Sequence, residues 1–325
     1  MSTLEAINKI KDQMSRSIIG QERVVERILI VLLGNGNLLL EGLPGLAKTR
    51  AIKSLAKYLE VGLSRIQFTP DLLPSDITGT EIYVSDGNKS EFKFQPGPVF
   101  NNLILADEIN RAPAKVQAAL LEAMEERQIT VAGKTYKLPK PFMVMATQNP
   151  VEQEGTYPLP EAQMDRFLMH VMINYPSNEN ELNILKLVRG EEETTKEGKA
   201  QDQIEKIDPE NVFKAREEIN KIHVSDSVEK YIVSLISATR YAKKYSNNLD
   251  RWIDYGASPR GTIALEKCSR VYAWMHKKDF VSPDDVVAIA HDVLRHRLIL
   301  SYEANADRVT ADKVIDELLN VVAVS

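Results

Sequence analysis

The sequence contains almost no cysteine and no long apolar run. Cys268 is the single cysteine among 325 residues, which excludes an internal disulfide and suits a reducing compartment. The longest purely aliphatic run, residues 28–33, is far too short to span a bilayer, and residues 1–14 are polar rather than signal-like. The expected location is therefore the cytoplasm, without direct insertion into a membrane.

Positive charge is no more abundant than negative charge. The sequence has 41 Lys and Arg against 46 Asp and Glu, a formal net charge of −5, and it has no dense basic run. This balance provides no general attraction to nucleic acid or anionic lipid. The five histidines show neither a metal-ligand spacing nor a nucleophile–histidine motif, so structural roles are expected for them.

The chain does contain a series of short apolar segments between amphipathic helices. The predicted strands are residues 38–41, 64–68, 103–106, 142–147 and 167–173. Because most of these segments are continuously apolar and all of them alternate with helical patterns, they predict an α/β fold with a parallel sheet between helices. Only helical signals follow Pro176, so we expect an α/β domain over residues 1–176 and an all-α domain over residues 177–325.

Two segments interrupt this alternation, and a third stands out in the helical region. Residues 81–95 and 129–138 alternate polar and apolar side chains around turn residues, which predicts two exposed hairpin insertions. Residues 190–202 are charged and nearly free of large apolar side chains, which predicts a mobile surface loop.

A glycine-rich turn over residues 42–47 joins the first predicted strand to a helix that begins with Lys48 and Thr49. Such a turn directs backbone N–H groups inward at a helix N-terminus, where a polyphosphate can bind. Lys48 would reach the β- and γ-phosphates, and the Thr49 hydroxyl would ligate Mg²⁺. Ala47 occupies the last glycine position of G-x-x-x-x-G-K-[ST], and its methyl group resists a positive φ. A strand–turn–helix junction whose lysine faces solvent would fit the same residues.

Polar side chains follow two of the predicted strands. Asp107 and Glu108 come directly after residues 103–106, at the carboxyl edge where open α/β sheets bind ligands. Asp107 would hold Mg²⁺ through water, and Glu108 would polarise the attacking water. Asn149 follows the next strand and could bond the γ-phosphate and that water, although Asn before Pro is also an ordinary turn signal.

Two arginines lie in positions where an anion would favour them. Arg166 precedes the last predicted strand, where it could reach the γ-phosphate of a neighbouring subunit or form a surface salt bridge with Asp165. Arg260 follows Ser258 and Pro259 and so falls in the first turn of a helix, where a cation opposes the helix dipole. A bound nucleotide triphosphate would reverse that penalty.

Taken together, these motifs resemble the MoxR-type AAA+ ATPases. The resemblance rests on EGLPGLAKT (residues 41–49, in which Ala47 is the variant typical of the family), ADEINRAP (106–113), ATQNP (146–150), EGTYPLPEAQ running into DRF (154–167), ASPR (257–260) and RHRL (295–298). It covers nearly the whole chain. It implies an AAA+ P-loop NTPase core with two hairpin insertions, followed by an all-α lid domain.

The resemblance also implies a role for each matching residue. Catalytic roles fall on Glu108, Asn149 as sensor one, Arg166 as arginine finger and Arg260 as sensor two. Metal binding falls on Thr49 and Asp107. Nucleotide contacts fall on Ile19, Gly20, Gly42, Pro44, Gly45, Leu46, Ala47, Lys48, Thr49, Arg50 and Asp107.

Family likeness further implies ATP and Mg²⁺ as cofactors and a hexameric ring of identical subunits. The expected partners are protein clients and a von Willebrand factor A-domain protein, and the expected activity is chaperone-like remodelling driven by ATP hydrolysis. A nucleic-acid motor, a metal-chelatase-type motor subunit and a nucleotide-dependent scaffold with little turnover remain alternatives. The tip of the first hairpin, residues 86–89, is close to neutral, which does not favour the nucleic-acid alternative.

Overall fold

The computed structural model of the protein describes residues 1–43, 46, 48–85, 90–150, 155–196 and 205–324. These residues form two compact units, each built from separate segments of the chain. The first unit comprises Met1–Leu29, Leu40–Tyr157 and Met172–Phe213, and the second comprises Ile30–Leu39, Pro158–Val171 and Lys214–Ser325. Because the units are discontinuous in sequence, they do not test a single domain boundary near residue 176, which stays a prediction.

The described strands and helices follow the predicted order. The strands are β1 (Leu38–Gly42), β2 (Leu63–Gln67), β3 (Gly79–Ser85), β4 (Ser90–Pro96), β5 (Leu103–Asp107), β6 (Gln128–Val131), β7 (Lys134–Lys137), β8 (Met143–Gln148), β9 (Met169–Ile173), β10 (Ile253–Tyr255) and β11 (Ile299–Leu300). The helices are α1 (Thr3–Ser17), α2 (Glu22–Leu33), α3 (Lys48–Leu59), α4 (Pro74–Thr78), α5 (Ala114–Glu126), α6 (Glu161–Met164), α7 (Asn178–Lys196), α8 (Glu210–Ile219), α9 (Asp226–Arg240), α10 (Asn247–Trp252), α11 (Pro259–Met275), α12 (Pro283–Leu294), α13 (Tyr302–Ala306) and α14 (Ala311–Val321). Short 3-10 turns lie at Ile109–Arg111, Ala242–Lys244 and Arg295–Arg297.

A five-stranded sheet forms the centre of the α/β fold, with strand order β2-β5-β8-β1-β9. Strands β2, β5 and β8 pair in parallel, and Gln67 lies opposite Asp107 at the carboxyl end of the ladder. The inner strands are buried along their length because they are apolar on both faces. This sheet and its flanking helices confirm the predicted fold class, and they bring the polar ends of β1, β5 and β8 to one edge.

The two predicted hairpins are confirmed as the antiparallel pairs β3–β4 and β6–β7. Phe92 and Phe94 are two residues apart on β4 and therefore share one face of the first hairpin. At the base of this face, the Phe94 ring stacks on Tyr136 of the second hairpin at a centroid distance of 4.1 Å. Farther along, Tyr83 pairs with Phe92 across the strands at 5.3 Å, and these two side chains are 62% and 65% exposed.

The predicted surface loop over residues 190–202 is wrong in its first half. Helix α7 continues through this stretch to Lys196, and residues 197–204 lie outside the described chain. Glutamate is a good helix former, and Glu191 on α7 pairs with Arg50, whose Nη1 lies 3.2 Å from Glu191 Oε2. Charge in this segment therefore marks an exposed helical face.

Two helices of the second unit begin directly after a serine. Ser258 precedes α11, and its hydroxyl accepts a hydrogen bond from the Arg260 N–H at 3.1 Å. Ser282 precedes α12, and its N–H donates to Asp285 at 2.8 Å. Cys268 is fully buried within α11. The helical region additionally contains the short antiparallel pair β10–β11, which periodicity alone did not indicate. Across the residues that the structure describes, every helix is too short or too polar to cross a membrane.

Candidate active site at the carboxyl edge of the sheet

Lys48 lies at the start of α3 with its amino group turned toward the ends of two central strands. Its Nζ donates to the Gly42 carbonyl at 2.7 Å and lies 3.4 Å from the Gln148 carbonyl. Gly42 ends β1 and Gln148 ends β8, so the positive charge sits at the sheet edge next to the first turn of α3. A lysine held at a helix N-terminus in this way is suited to bind phosphate.

The Asp107 carboxylate ends β5 and is held from two sides. Its Oδ1 accepts a hydrogen bond from the Thr147 hydroxyl at 2.6 Å, and its Oδ2 lies 2.7 Å from Arg65 Nη2. The Asp107 side chain is 13% exposed, whereas that of Arg65 is 51% exposed. The carboxylate is therefore fixed in direction by two partners and remains partly exposed.

Glu108 adopts an unusual backbone conformation directly after β5. Its φ of 57° and ψ of 50° place a non-glycine residue in the left-handed region, which is uncommon and concentrated at functional sites. The Glu108 N–H donates to Thr147 Oγ1 at 2.9 Å. Its Oε2 accepts from Gln67 Nε2 at 3.0 Å and lies 3.0 Å from Arg111 Nε. A second carboxylate, next in sequence to that of Asp107, is thus held in place by Gln67 and Arg111.

The predicted nucleotide contacts near the N-terminus lie in a crowded turn. Gly20 has a φ of +77°, and a Cβ built on it would lie 2.6 Å from the Asn180 side chain of α7. A side chain at this position would be strained by the positive φ and would have to displace Asn180. The adjoining Gln21 Nε2 donates to the Asn174 carbonyl at 2.9 Å, which ties this turn to the chain after β9.

The remaining predicted site residues are distributed between the two units. In the first unit, Asn149 is buried just beyond β8, and Thr49 lies in the first turn of α3. Arg50 is engaged by Glu191, which adds an acidic partner that the sequence pattern did not indicate. Pro44, Gly45 and Ala47 lie outside the described residues.

Arg166 and Arg260 both belong to the second unit. Arg166 directly follows Asp165, beyond the C-terminus of α6, and Arg260 is the second residue of α11. The unit that contains these arginines is distinct from the one that contains Lys48, Asp107 and Glu108.

Sequence reasoning missed four polar residues around the two carboxylates. These residues are Arg65, Gln67, Arg111 and Thr147. Gln67 ends β2 and Thr147 lies near the end of β8, so the rule that ligands bind at carboxyl strand ends could have identified both. That inference also requires β2 and β8 to flank β5, and strand order was not part of the prediction.

The arrangement fits a Mg²⁺–nucleotide pair. Mg²⁺ usually keeps several waters and binds one or two carboxylates together with substrate phosphates. Asp107 supplies such a carboxylate, and in the described part of the chain it belongs to no group of three or more acidic, histidine or cysteine ligands that could hold a metal by themselves. Thr49 adds a hydroxyl at the helix start where phosphates would bind.

Known proteins resemble this chain over almost its full length. Residues 37–169 match the ATPase family associated with various cellular activities (AAA), and residues 248–318 match the AAA lid domain. Chaperone MoxR1 of Mycobacterium tuberculosis is 44% identical, with 96% of this chain and 80% of that protein covered. YeaC of Bacillus subtilis is 42% identical, with 98% and 94% covered. A crystal structure of a protein described as an ATPase from Cytophaga hutchinsonii has a TM-score of 0.90 and 44% identity, with 99% and 97% covered.

The two matched segments contain every predicted site residue except Ile19 and Gly20, which precede the first segment.

Proposed function

The chain belongs to the MoxR family of AAA+ ATPases, and we propose that it hydrolyses ATP with Mg²⁺, as a ring of identical subunits, to remodel partner proteins. The observation that carries the proposal is that Lys48, Asp107 and Glu108 all contact the ends of the central strands. Lys48 binds the last carbonyls of β1 and β8, and Asp107 and Glu108 at the end of β5 bind Thr147 of β8. A cation for phosphate, a carboxylate for metal and a second carboxylate for water are the groups that phosphoryl transfer requires.

Within this proposal, each residue has one task. Lys48 binds the β- and γ-phosphates, Thr49 and Asp107 hold Mg²⁺, and Glu108 polarises the attacking water. Asn149 orients that water and the γ-phosphate. Arg166 stabilises the transition state on a neighbouring subunit, and Arg260 contacts the phosphates from the helical lid. We retain a division into a nucleotide-binding domain (residues 1–176) and a lid domain (residues 177–325).

Removal of Mg²⁺ tests the proposed chemistry. We expect steady-state ATP hydrolysis to fall to background in excess EDTA and to return when Mg²⁺ is added in excess. Thr49→Val, which removes a hydroxyl at nearly constant volume, should raise the Mg²⁺ concentration needed for half-maximal rate. Hydrolysis that proceeds equally well in EDTA would contradict a metal-dependent mechanism.

The exposed aromatic pair on the first hairpin supports the proposal that this ATPase acts on another protein. Tyr83 and Phe92 lie side by side on the hairpin face whose base is covered by Tyr136. Large exposed aromatic side chains are enriched at protein–protein contacts because they bury much area at low entropic cost. We propose that this pair contacts a client or a von Willebrand factor A-domain partner in the cytoplasm.

A trapped ATP-bound form tests the proposed partner contact. Glu108→Gln protein with ATP should capture specific proteins from its native cytoplasm, and far fewer without ATP. Adding Tyr83→Ser and Phe92→Ser should remove that capture while ATP binding and melting temperature stay unchanged, because both side chains are already exposed.

Ile82→Ser provides the matched control, since Ile82 is partly exposed on the opposite face of β3. Equal capture by all these variants would argue against the hairpin. Recovery of nucleic acid that resists moderate salt would favour a nucleic-acid motor instead.

A further inference from the structure

The short turn Arg295–Arg297 contains a buried arginine that no role proposed above uses. The Arg297 side chain is 2% exposed. Its Nε donates to Asp165 Oδ1 at 2.9 Å, and its Nη2 donates to the Phe167 carbonyl at 2.7 Å. A buried guanidinium is costly unless its donors are satisfied, and its planar fork then fixes its partners in one geometry.

Two partners of Arg297 are the chain neighbours of Arg166. Asp165 is bound through its side chain and Phe167 through its backbone carbonyl, so the guanidinium spans the segment on both sides of Arg166. Its Nη1 also donates to the Val293 carbonyl in α12. Arg297 therefore joins the short segment after α6 to α12 within the second unit.

Ser258 also binds Asp165. We call the contacts of Arg297 and Ser258 with Asp165 and Phe167 the clamp. The Ser258 hydroxyl donates to Asp165 Oδ2 at 2.7 Å, so the two carboxylate oxygens of Asp165 are bound by different elements. The same hydroxyl accepts the Arg260 N–H at 3.1 Å. Asp165 thus links the backbone around Arg166 to the first turn of α11, which contains Arg260.

His296 adds a neutral contact beside the clamp. Its Nε2 lies 3.0 Å from the Phe167 carbonyl and 2.8 Å from Arg297 Nη1. Burial, followed by the positive charge of Arg297 and the neighbouring His170, lowers the pKa of His296 well below its ordinary value. The imidazole is therefore uncharged at neutral pH and adds no positive charge beside Arg297.

We propose that Arg297 is a positioning residue that holds the backbone on both sides of Arg166 and thereby fixes the direction in which Arg166 projects. This inference rests on the proposed function, since it matters for catalysis only if Arg166 acts in hydrolysis. A displacement of about 1 Å in a catalytic group can cost roughly a hundredfold in rate. Loss of the fork at Arg297 should therefore reduce turnover without touching the phosphate-binding residues of the first unit.

Arg295 offers a matched control within the same turn. It is also largely buried, but its guanidinium bonds Asp312 at 2.6 Å, Asp292 at 3.1 Å and the His170 carbonyl at 2.5 Å. None of these partners adjoins Arg166. Arg295→Lys and Arg297→Lys both keep the charge and lose the fork, so they separate general packing from positioning.

The experiment compares kcat, ATP affinity and melting temperature for the two variants and for Arg166→Ala. We expect Arg297→Lys to lower kcat about a hundredfold, while its affinity for a fluorescent ATP analogue stays at the parent level. Arg295→Lys should lower the melting temperature by about as much as Arg297→Lys does, but it should leave kcat unchanged. Asp165→Asn should reproduce the loss, and the double variant should lose little more than the worse single variant, because both changes break one interaction.

The outcomes separate this inference from the proposed function. If Arg166→Ala is inactive while Arg297→Lys and Asp165→Asn turn over at the parent rate, the positioning role is wrong and the function stands. Equal losses of kcat in Arg295→Lys and Arg297→Lys would also overturn it, because packing alone would explain them. If Arg166→Ala itself hydrolyses ATP at the parent rate, the role of Arg166 in the proposed function has failed. Should Arg297→Lys not fold, Asp165→Asn decides.

Discussion

Replacing Glu108 with glutamine should nearly abolish ATP turnover and leave ATP bound. Glutamine preserves the shape of the side chain and can still accept from Gln67 and Arg111, but it cannot polarise water as a carboxylate does. General-base assistance contributes about 10²–10⁴-fold to rate, so a loss of that size is expected in kcat. The measurements are steady-state hydrolysis and the affinity for a fluorescent ATP analogue under the same conditions.

Lys48→Ala provides the contrast to this variant. It removes the amino group that lies at the ends of β1 and β8, so both binding and turnover should be lost. Glu108→Gln protein that hydrolyses ATP at the parent rate would remove Glu108 from the proposed chemistry. A variant that no longer binds ATP would instead indicate a role in the site's structure.

Replacing Arg166 with alanine should also abolish turnover, and the defect should be repaired by mixing. Arginine fingers contribute about 10³–10⁵-fold to phosphoryl transfer, so the homogeneous Arg166→Ala protein should be inactive although it binds ATP. Mixing it with Lys48→Ala protein should restore part of the activity, since one interface type then combines an intact Lys48 site with an intact Arg166. The measurement is hydrolysis as a function of the mixing ratio.

Exchange of subunits has to be shown in the same samples, for example by energy transfer between labelled variants. Arg166→Lys is the matched control, because it keeps the charge and loses the planar fork that binds phosphate oxygens. If subunits exchange and no mixture regains activity, Arg166 acts within its own chain. A sample of Arg166→Ala that has become monomeric would point to a role in assembly.

The sequence predicts which residues lie at the carboxyl edge of the sheet better than it predicts the order of the strands. Lys48, Asp107 and Glu108 could be placed because each follows a continuously apolar strand, and such strands must be buried in parallel with their carboxyl ends together. Gln67, Arg65 and Thr147 could not, because their contacts with the two carboxylates depend on β2 and β8 lying on either side of β5. Strand order is a tertiary property that hydrophobic periodicity does not encode.

Local composition led to a wrong prediction where charged residues form an exposed helix. Residues 190–196 look like a loop because they lack apolar side chains, yet they complete α7. The ion pair between Glu191 and Arg50 joins two segments about 140 positions apart, a contact invisible in either segment alone. In the first hairpin, alternation located the strands but did not reveal that Phe94 is covered while Tyr83 and Phe92 are exposed.

The end of β8 contacts all three charged residues of the site. The Thr147 hydroxyl bridges the Asp107 carboxylate and the Glu108 N–H, and the next residue, Gln148, presents its carbonyl to Lys48. A shift of this one strand end would therefore change, in a single movement, the spacing between Asp107, Glu108 and Lys48, the groups for which we propose metal binding, activation of water and phosphate binding. Asn149 is the next residue after Gln148. A γ-phosphate that binds its amide would therefore be coupled through this strand end to Lys48, Asp107 and Glu108.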